Sequence, residues 1–109
     1  MSNKSLYLMA QEVYANNVAH GWYETDRNFG MDVALLHSEV SEMLEEFRIH
    51  GMNSYTTETG KPSDVAAECA DVLIRLLDTC HRYGIDLEME YERKMAYNIS
   101  RPYKHGKRV

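Results

Sequence analysis

The chain has 109 residues, 44% of them hydrophobic and 27% charged, which fits one globular domain spanning residues 1–109 and excludes a disordered chain. No apolar run approaches the roughly 18–20 residues of a membrane span, and the opening MSNKSLYLMAQEV lacks the apolar centre of a secretory leader, so a cytoplasmic protein off the membrane is expected. The net charge is −5, but all 17 acidic residues lie at or before Glu92, while Arg93, Lys94, Arg101, Lys104, Lys107 and Arg108 follow it; an acidic body with a basic tail lacks the continuous basic face needed to coat a nucleic-acid polymer.

The elements read as helices throughout. A first helix is expected over about Ser2 to Val18, with Leu6, Met9, Val13 and Val18 on one side and Ser2 or Asn3 as its N-cap; His20-Gly21 ends it. Trp22 to Asn28 is polar with two aromatics and reads as a loop. A second helix runs from Phe29 or Gly30 to Ile49, because Leu36, Val40, Met43, Leu44 and Phe47 repeat at helical and not strand spacing. His50-Gly51 closes it, Gly51 suiting a left-handed C-terminal position. Residues 51–62 form a Gly-, Ser-, Thr- and Asn-rich loop. Ser63 is the expected N-cap of a third helix, with Asp64 favouring its positive dipole end. That helix, Val65 to about Tyr83, is apolar over more than half its circumference, so it needs cover on more than one side. Gly84 ends it. A fourth helix starts near Asp86 and reaches Asn98 or Ser100 before Pro102.

The fold class is therefore all-α, a four-helix chain. A domain this small buries little core, and the third helix asks for more cover than its own chain easily supplies. A bundle completed by oligomerisation, as a homodimer or homotetramer, is expected. Cys69 and Cys80 are 11 residues apart in one helix, about 16 Å of rise, too far for a disulfide; both read as small buried residues.

Chemistry is suggested by where the acids fall. On a wheel of about 100° per residue with Leu36 at zero, Glu39, Glu42 and Glu46 sit near 300°, 240° and 280°, one stripe beside the apolar seam. Like charges at this spacing cost a helix a few tenths of a kcal/mol per pair, and no Lys or Arg on the stripe offsets them. Glu68 and Asp71 repeat the device on the third helix. Two such helices joined by a short loop can pack antiparallel and bring Glu39-x-x-Glu42 against Glu68-x-x-Asp71. Four converging carboxylates would repel unless a cation sat among them, and hard oxygen ligands select Mg²⁺ or Mn²⁺. The competing reading is a solvated acidic face, with Arg75 as an ordinary i+4 partner of Asp71. Di-iron is disfavoured, since no His follows Glu39, Glu42, Glu46 or Glu68 at i+3.

Lys94, Asn98 and Arg101 share one face of the fourth helix and, with Lys104 and His105, form a set able to hold phosphates, or simply a solvated helix end. Trp22 is the only Trp, suited to stacking on a base or to plugging the edge of a core. His37 lies on the other flank of the seam, as a substrate contact or a hydrogen-bonded core histidine.

The segments ALLHSEVSEMLEEFR, AAECADVLIRLLDTCHRYGIDLE and KMAYNISRPYKHGK together resemble the MazG-like branch of the all-α nucleoside triphosphate pyrophosphohydrolases, over residues 22 to 107. The resemblance implies cleavage between the α- and β-phosphates of a nucleoside triphosphate, with Glu39, Glu42, Glu68 and Asp71 as Mg²⁺ ligands. It also implies a phosphate-contacting face of Lys94, Asn98 and Arg101, with Trp22 and His37 around the base. The family often carries an acid before the first motif glutamate, where this chain has Ser38. Glu46 is then the candidate outer ligand or water-orienting group, beside Glu39 and Glu42 as catalytic carboxylates. Two alternatives stand beside this: a phosphoribosyl-ATP pyrophosphohydrolase of the same superfamily, and a non-enzymatic helical oligomer that binds nucleotide or a partner helix.

Overall fold

The computed structural model describes residues 4–55 and 57–103. Ser2, Asn3, Lys104 and His105, named above as cap or phosphate-holding candidates, lie outside the described residues. Four helices follow one another: α1 (Leu6–Ala19), α2 (Phe29–His50), α3 (Val65–Arg82) and α4 (Leu87–Ser100). Among the described residues there is no strand, and no helix is long and apolar enough to cross a membrane.

Each helix starts where a short polar side chain captures an orphan amide. Ser5, Asn28, Asp64 and Asp86 accept from the amides of Leu8, Met31, Ala67 and Met89. Two expectations are thereby corrected. Ser5 caps a first helix that begins at Leu6, and Asp64, not Ser63, caps the third. Asp64 wins because its two oxygens serve two amides, Oδ1 accepting from Ala67 and Oδ2 from Tyr55 in the preceding loop. Gly51 ends α2 at φ 65°, a backbone conformation that a Cβ disfavours, while its N–H donates to the Phe47 carbonyl.

α3 is the central element and packs against both α2 and α1; α4 lies lightly against α1. The register of α2 on α3 follows from three contacts: Met43 with Cys69, Glu39 with Arg75, and Asp32 with Tyr83. Numbers fall on one helix as they rise on the other, so the pair is antiparallel. Four consecutive residues of α3, Leu77 to Cys80, are buried, and Leu77 is only 2% exposed. Removing its side chain should cost about 2–5 kcal/mol, as for other buried leucines.

The apolar seam of α2 departs from expectation. Val40, Leu44 and Phe47 are 44%, 54% and 51% exposed, while Met43 of the same seam meets α3 and Glu39 of the neighbouring acidic stripe reaches Arg75. The apolar side of α3 is likewise incompletely covered, with Leu73 and Ile74 exposed. Cys80 is buried, and desolvation raises its thiol above the ordinary cysteine range. Cys69, expected to be buried, is exposed, with its Sγ 3.2 Å from Met43 Sδ. His37 is exposed, so it is not a core histidine.

Candidate functional site

The middle of the α2–α3 interface is a carboxylate cluster. One oxygen from each of Glu39, Glu42 and Glu68 lies within 4.8 Å of the others. The i,i+3 spacing of Glu39 and Glu42 puts them on one face of α2, and the antiparallel register brings Glu68 up from the first turn of α3. Glu68 Oε2 is buried and has no hydrogen-bond partner, an arrangement that costs free energy unless something charged or protic satisfies it. The proton affinities carry the same strain. Glu42 is raised above the ordinary carboxylate range, first by the charge of Glu39, then by desolvation and a hydrogen bond with Glu39. Glu68 is raised first by burial and then by the charges of Asp71, Glu42 and Glu39. Lys61, from the loop before α3, opposes both shifts.

Asp71 stands beside this trio. It lines an adjoining cleft of about 120 Å³ together with Asn17, Trp22, Glu39, Ile74 and Arg75. Trp22, half-exposed in the α1–α2 loop, is therefore a wall of a cleft that also holds two of the four candidate acids. Arg75 does not pair with Asp71, the partner that the competing solvated-face reading gives it. Its Nη2 donates to Glu39 Oε1 at 3.2 Å across the helix interface, and its guanidinium lies 5.6 Å from the Trp22 ring centroid. The sequence hinted at this, since Arg75 falls about one turn past Asp71 on the stripe of Glu68. An i+4 neighbour was the simpler partner to assign, and a cross-helix one emerges only with the register. Asn17 was missed, for nothing in the sequence distinguishes it from other polar residues near a helix end.

Glu46 lies outside the cluster. Its Oε1 accepts from the Tyr55 hydroxyl at 2.7 Å and lies 2.7 Å from His50 Nδ1. This bond, with burial and the carboxylate charge, pushes the Tyr55 hydroxyl up to about 12. Glu46 Oε1 is thus engaged by Tyr55, from the loop after α2, and by His50, and not by the acidic cluster. Lys94 and Arg101 flank the Tyr97 ring at 5.7 and 5.4 Å, and the N–H of Arg101 donates to the Asn98 carbonyl. The three share the end of α4, a helix with no buried residue, whose strongest packing is against α1. His37 is not among the residues lining the Trp22 cleft.

Chemically, the trio offers a hard, oxygen-only set suited to a divalent cation, with an aromatic wall next to it. Comparisons of the chain with models of known protein families, with curated proteins and with solved structures found no match.

Proposed function

We propose that this chain is a Mg²⁺-dependent pyrophosphohydrolase of (deoxy)nucleoside triphosphates, of the MazG-like kind that its sequence resembles, acting in the cytoplasm. One observation carries the reading: acids from two helices meet within 4.8 Å with an unsatisfied buried oxygen among them. In this reading Glu39, Glu42, Glu68 and Asp71 hold Mg²⁺, with Mn²⁺ as a substitute. The ion supplies neutralisation of the triphosphate and a lowered pKa for water. Glu39 or Glu42 would hold or deprotonate the attacking water. Trp22 offers its face to the base in the adjoining cleft. Attack on the α-phosphorus breaks the α–β bridge, giving nucleoside monophosphate and pyrophosphate.

Lys94, Asn98 and Arg101 complete the proposal as phosphate contacts on α4. Packing of α4 against α1 leaves that face for another copy's site, and an oligomer is proposed for this reason too. The half-exposed Val40, Leu44 and Phe47 seam, and Ile99 at 79% exposure, support it. So does a radius of gyration of 16.7 Å, against about 13 Å for a compact chain of 100 residues. Sedimentation velocity should show a dimer or tetramer; a monomer at micromolar concentration would remove this part of the proposal.

The test of activity is a panel of ribo- and deoxyribonucleoside triphosphates with Mg²⁺, scored for pyrophosphate. Glu42→Gln and Asp71→Asn should each cut turnover by about a thousandfold or more, with helical circular dichroism retained. Turnover equal in all three proteins, or orthophosphate as the product, contradicts the assignment. The non-enzymatic reading has one observation in its favour, since the Arg75–Glu39 pair already neutralises one acid within the chain. It forecasts no pyrophosphate from any member of the panel.

A further inference from the structure

We infer that Arg75 is an exchangeable counter-ion, holding Glu39 while the site lacks a divalent ion and turning to the nucleotide's phosphates once Glu39 ligates one. The inference rests on the proposed metal site. Its own footing is the position of one side chain between two parts of the molecule. Arg75 Nη2 donates to Glu39 Oε1 at 3.2 Å, and the two side chains are 18% and 17% exposed. The same guanidinium lies over Trp22 and forms part of the cleft wall with Asn17, Asp71 and Ile74. Acid, cation and indole are thus in line, with Glu39 also a member of the carboxylate trio.

Two opposing demands fall on Glu39. A divalent ion and a guanidinium compete for its oxygens, and the ion brings twice the charge. When Glu39 turns to the ion, Arg75 is left mostly buried beside a cation, and a buried guanidinium without a partner is costly. Asp71, at i−4, is one acceptor within reach of its stem, but in the proposed site that acid is also a ligand. The remaining partner is an anion entering the cleft. A planar fork of N–H donors suits two phosphate oxygens at once, better than an ammonium would, and Trp22 holds the fork's face in place. Arg75 is therefore a positioning residue in the ion-free protein and a phosphate contact in the loaded one. It couples the two binding events, so that the ion prepares the cleft for the nucleotide.

Titration calorimetry with Mg²⁺ alone, read together with the fluorescence of Trp22, tests this in wild type, Arg75→Met and Arg75→Lys. Wild type should show Mg²⁺ binding accompanied by a saturable change in Trp emission as the guanidinium releases Glu39 and shifts against the ring. Arg75→Met should bind Mg²⁺ about fivefold more tightly, having lost the competing cation, with no matching emission change. With Mg²⁺ present, an uncleavable α,β-methylene nucleoside triphosphate should bind Arg75→Met about tenfold more weakly than wild type. Arg75→Lys should keep near-wild-type Mg²⁺ affinity but recover little of the analogue binding. Equal Mg²⁺ affinity and equal emission changes in wild type and Arg75→Met overturn the exchange while leaving the metal site standing. Absence of Mg²⁺ binding in every protein overturns the metal reading and the exchange with it.

Discussion

The two ends of one stretch of the α2–α3 interface treat their acids in different ways. Near the start of α2, Asp32 is 3% exposed and fully compensated: Arg27 Nε donates at 2.8 Å, the Tyr83 hydroxyl at 2.7 Å, and Arg82 Nε lies 3.8 Å away. Asp78, also 3% exposed, accepts from the Tyr23 hydroxyl at 2.6 Å. Burial, then that bond and the charge of Asp78, hold the Tyr23 hydroxyl well above the ordinary tyrosine range. Arg82 ties the assembly to the incoming loop by donating to the Arg27 carbonyl at 2.8 Å, and it stacks over Tyr23. About two turns further along the same helix pair, three carboxylates crowd together, one of which, Glu39, accepts from Arg75 across the interface. One end is an ion network in which each acid is answered, closed but for Arg82 Nη1, which is buried without a hydrogen-bond partner. The other leaves Glu68 Oε2 buried without a partner among crowded carboxylates, whose raised proton affinities Lys61 only partly opposes.

Breaking the closed end should have the largest effect. Asp32→Ala strands Arg27 and Arg82 in a buried setting and should cost about 3–5 kcal/mol in chemical denaturation. A loss below about 1 kcal/mol would mean that this network contributes little.

The open end should respond with the opposite sign. Glu68→Gln removes one of the mutually repelling charges, so in the absence of divalent ions it should leave stability unchanged or raise it by up to about 1 kcal/mol, while pyrophosphate release is lost. The pH dependence sharpens the contrast. Glu42 and Glu68 have folded-state pKa values raised above the unfolded one, so their contribution is fully present below the unfolded value. It is lost as pH rises through the folded values. As the pH rises above the ordinary glutamate value of about 4.3, thermal melts without divalent ions should show wild type losing ground to Glu68→Gln. Parallel profiles would contradict the charge crowding assigned to the cluster.

Much of the helical framework was legible from periodicity and punctuation alone. The seam spacing of α2, Gly51 and Gly84 as stops, and Asp86 before α4 located the elements to within a few residues, since those signals act over one turn of chain. The acidic stripes were legible for the same reason, as their angular position follows from spacing. What was not legible is whatever depends on the register between helices. Arg75 chose Glu39 over its own i−4 neighbour, Glu46 Oε1 was engaged by Tyr55 nine residues away, and Val40, Leu44 and Phe47 of the seam stayed exposed while Met43 met α3. The contrast between Asp32 and Glu39 was equally invisible, since both are acids near a helical turn and only their partners across the interface separate them.

The most direct measurement of the central claim is thermal unfolding of the wild-type protein in Mg²⁺ against KCl matched for ionic strength. A ligand bound only by the native state, at a hundred times its dissociation constant, stabilises by about 2.7 kcal/mol. The melting temperature should therefore rise by several degrees in Mg²⁺, and the gain should vanish in Glu68→Gln. An equal response to both salts, unchanged by that substitution, would show that the carboxylates of α2 and α3 meet only solvent and its counter-ions.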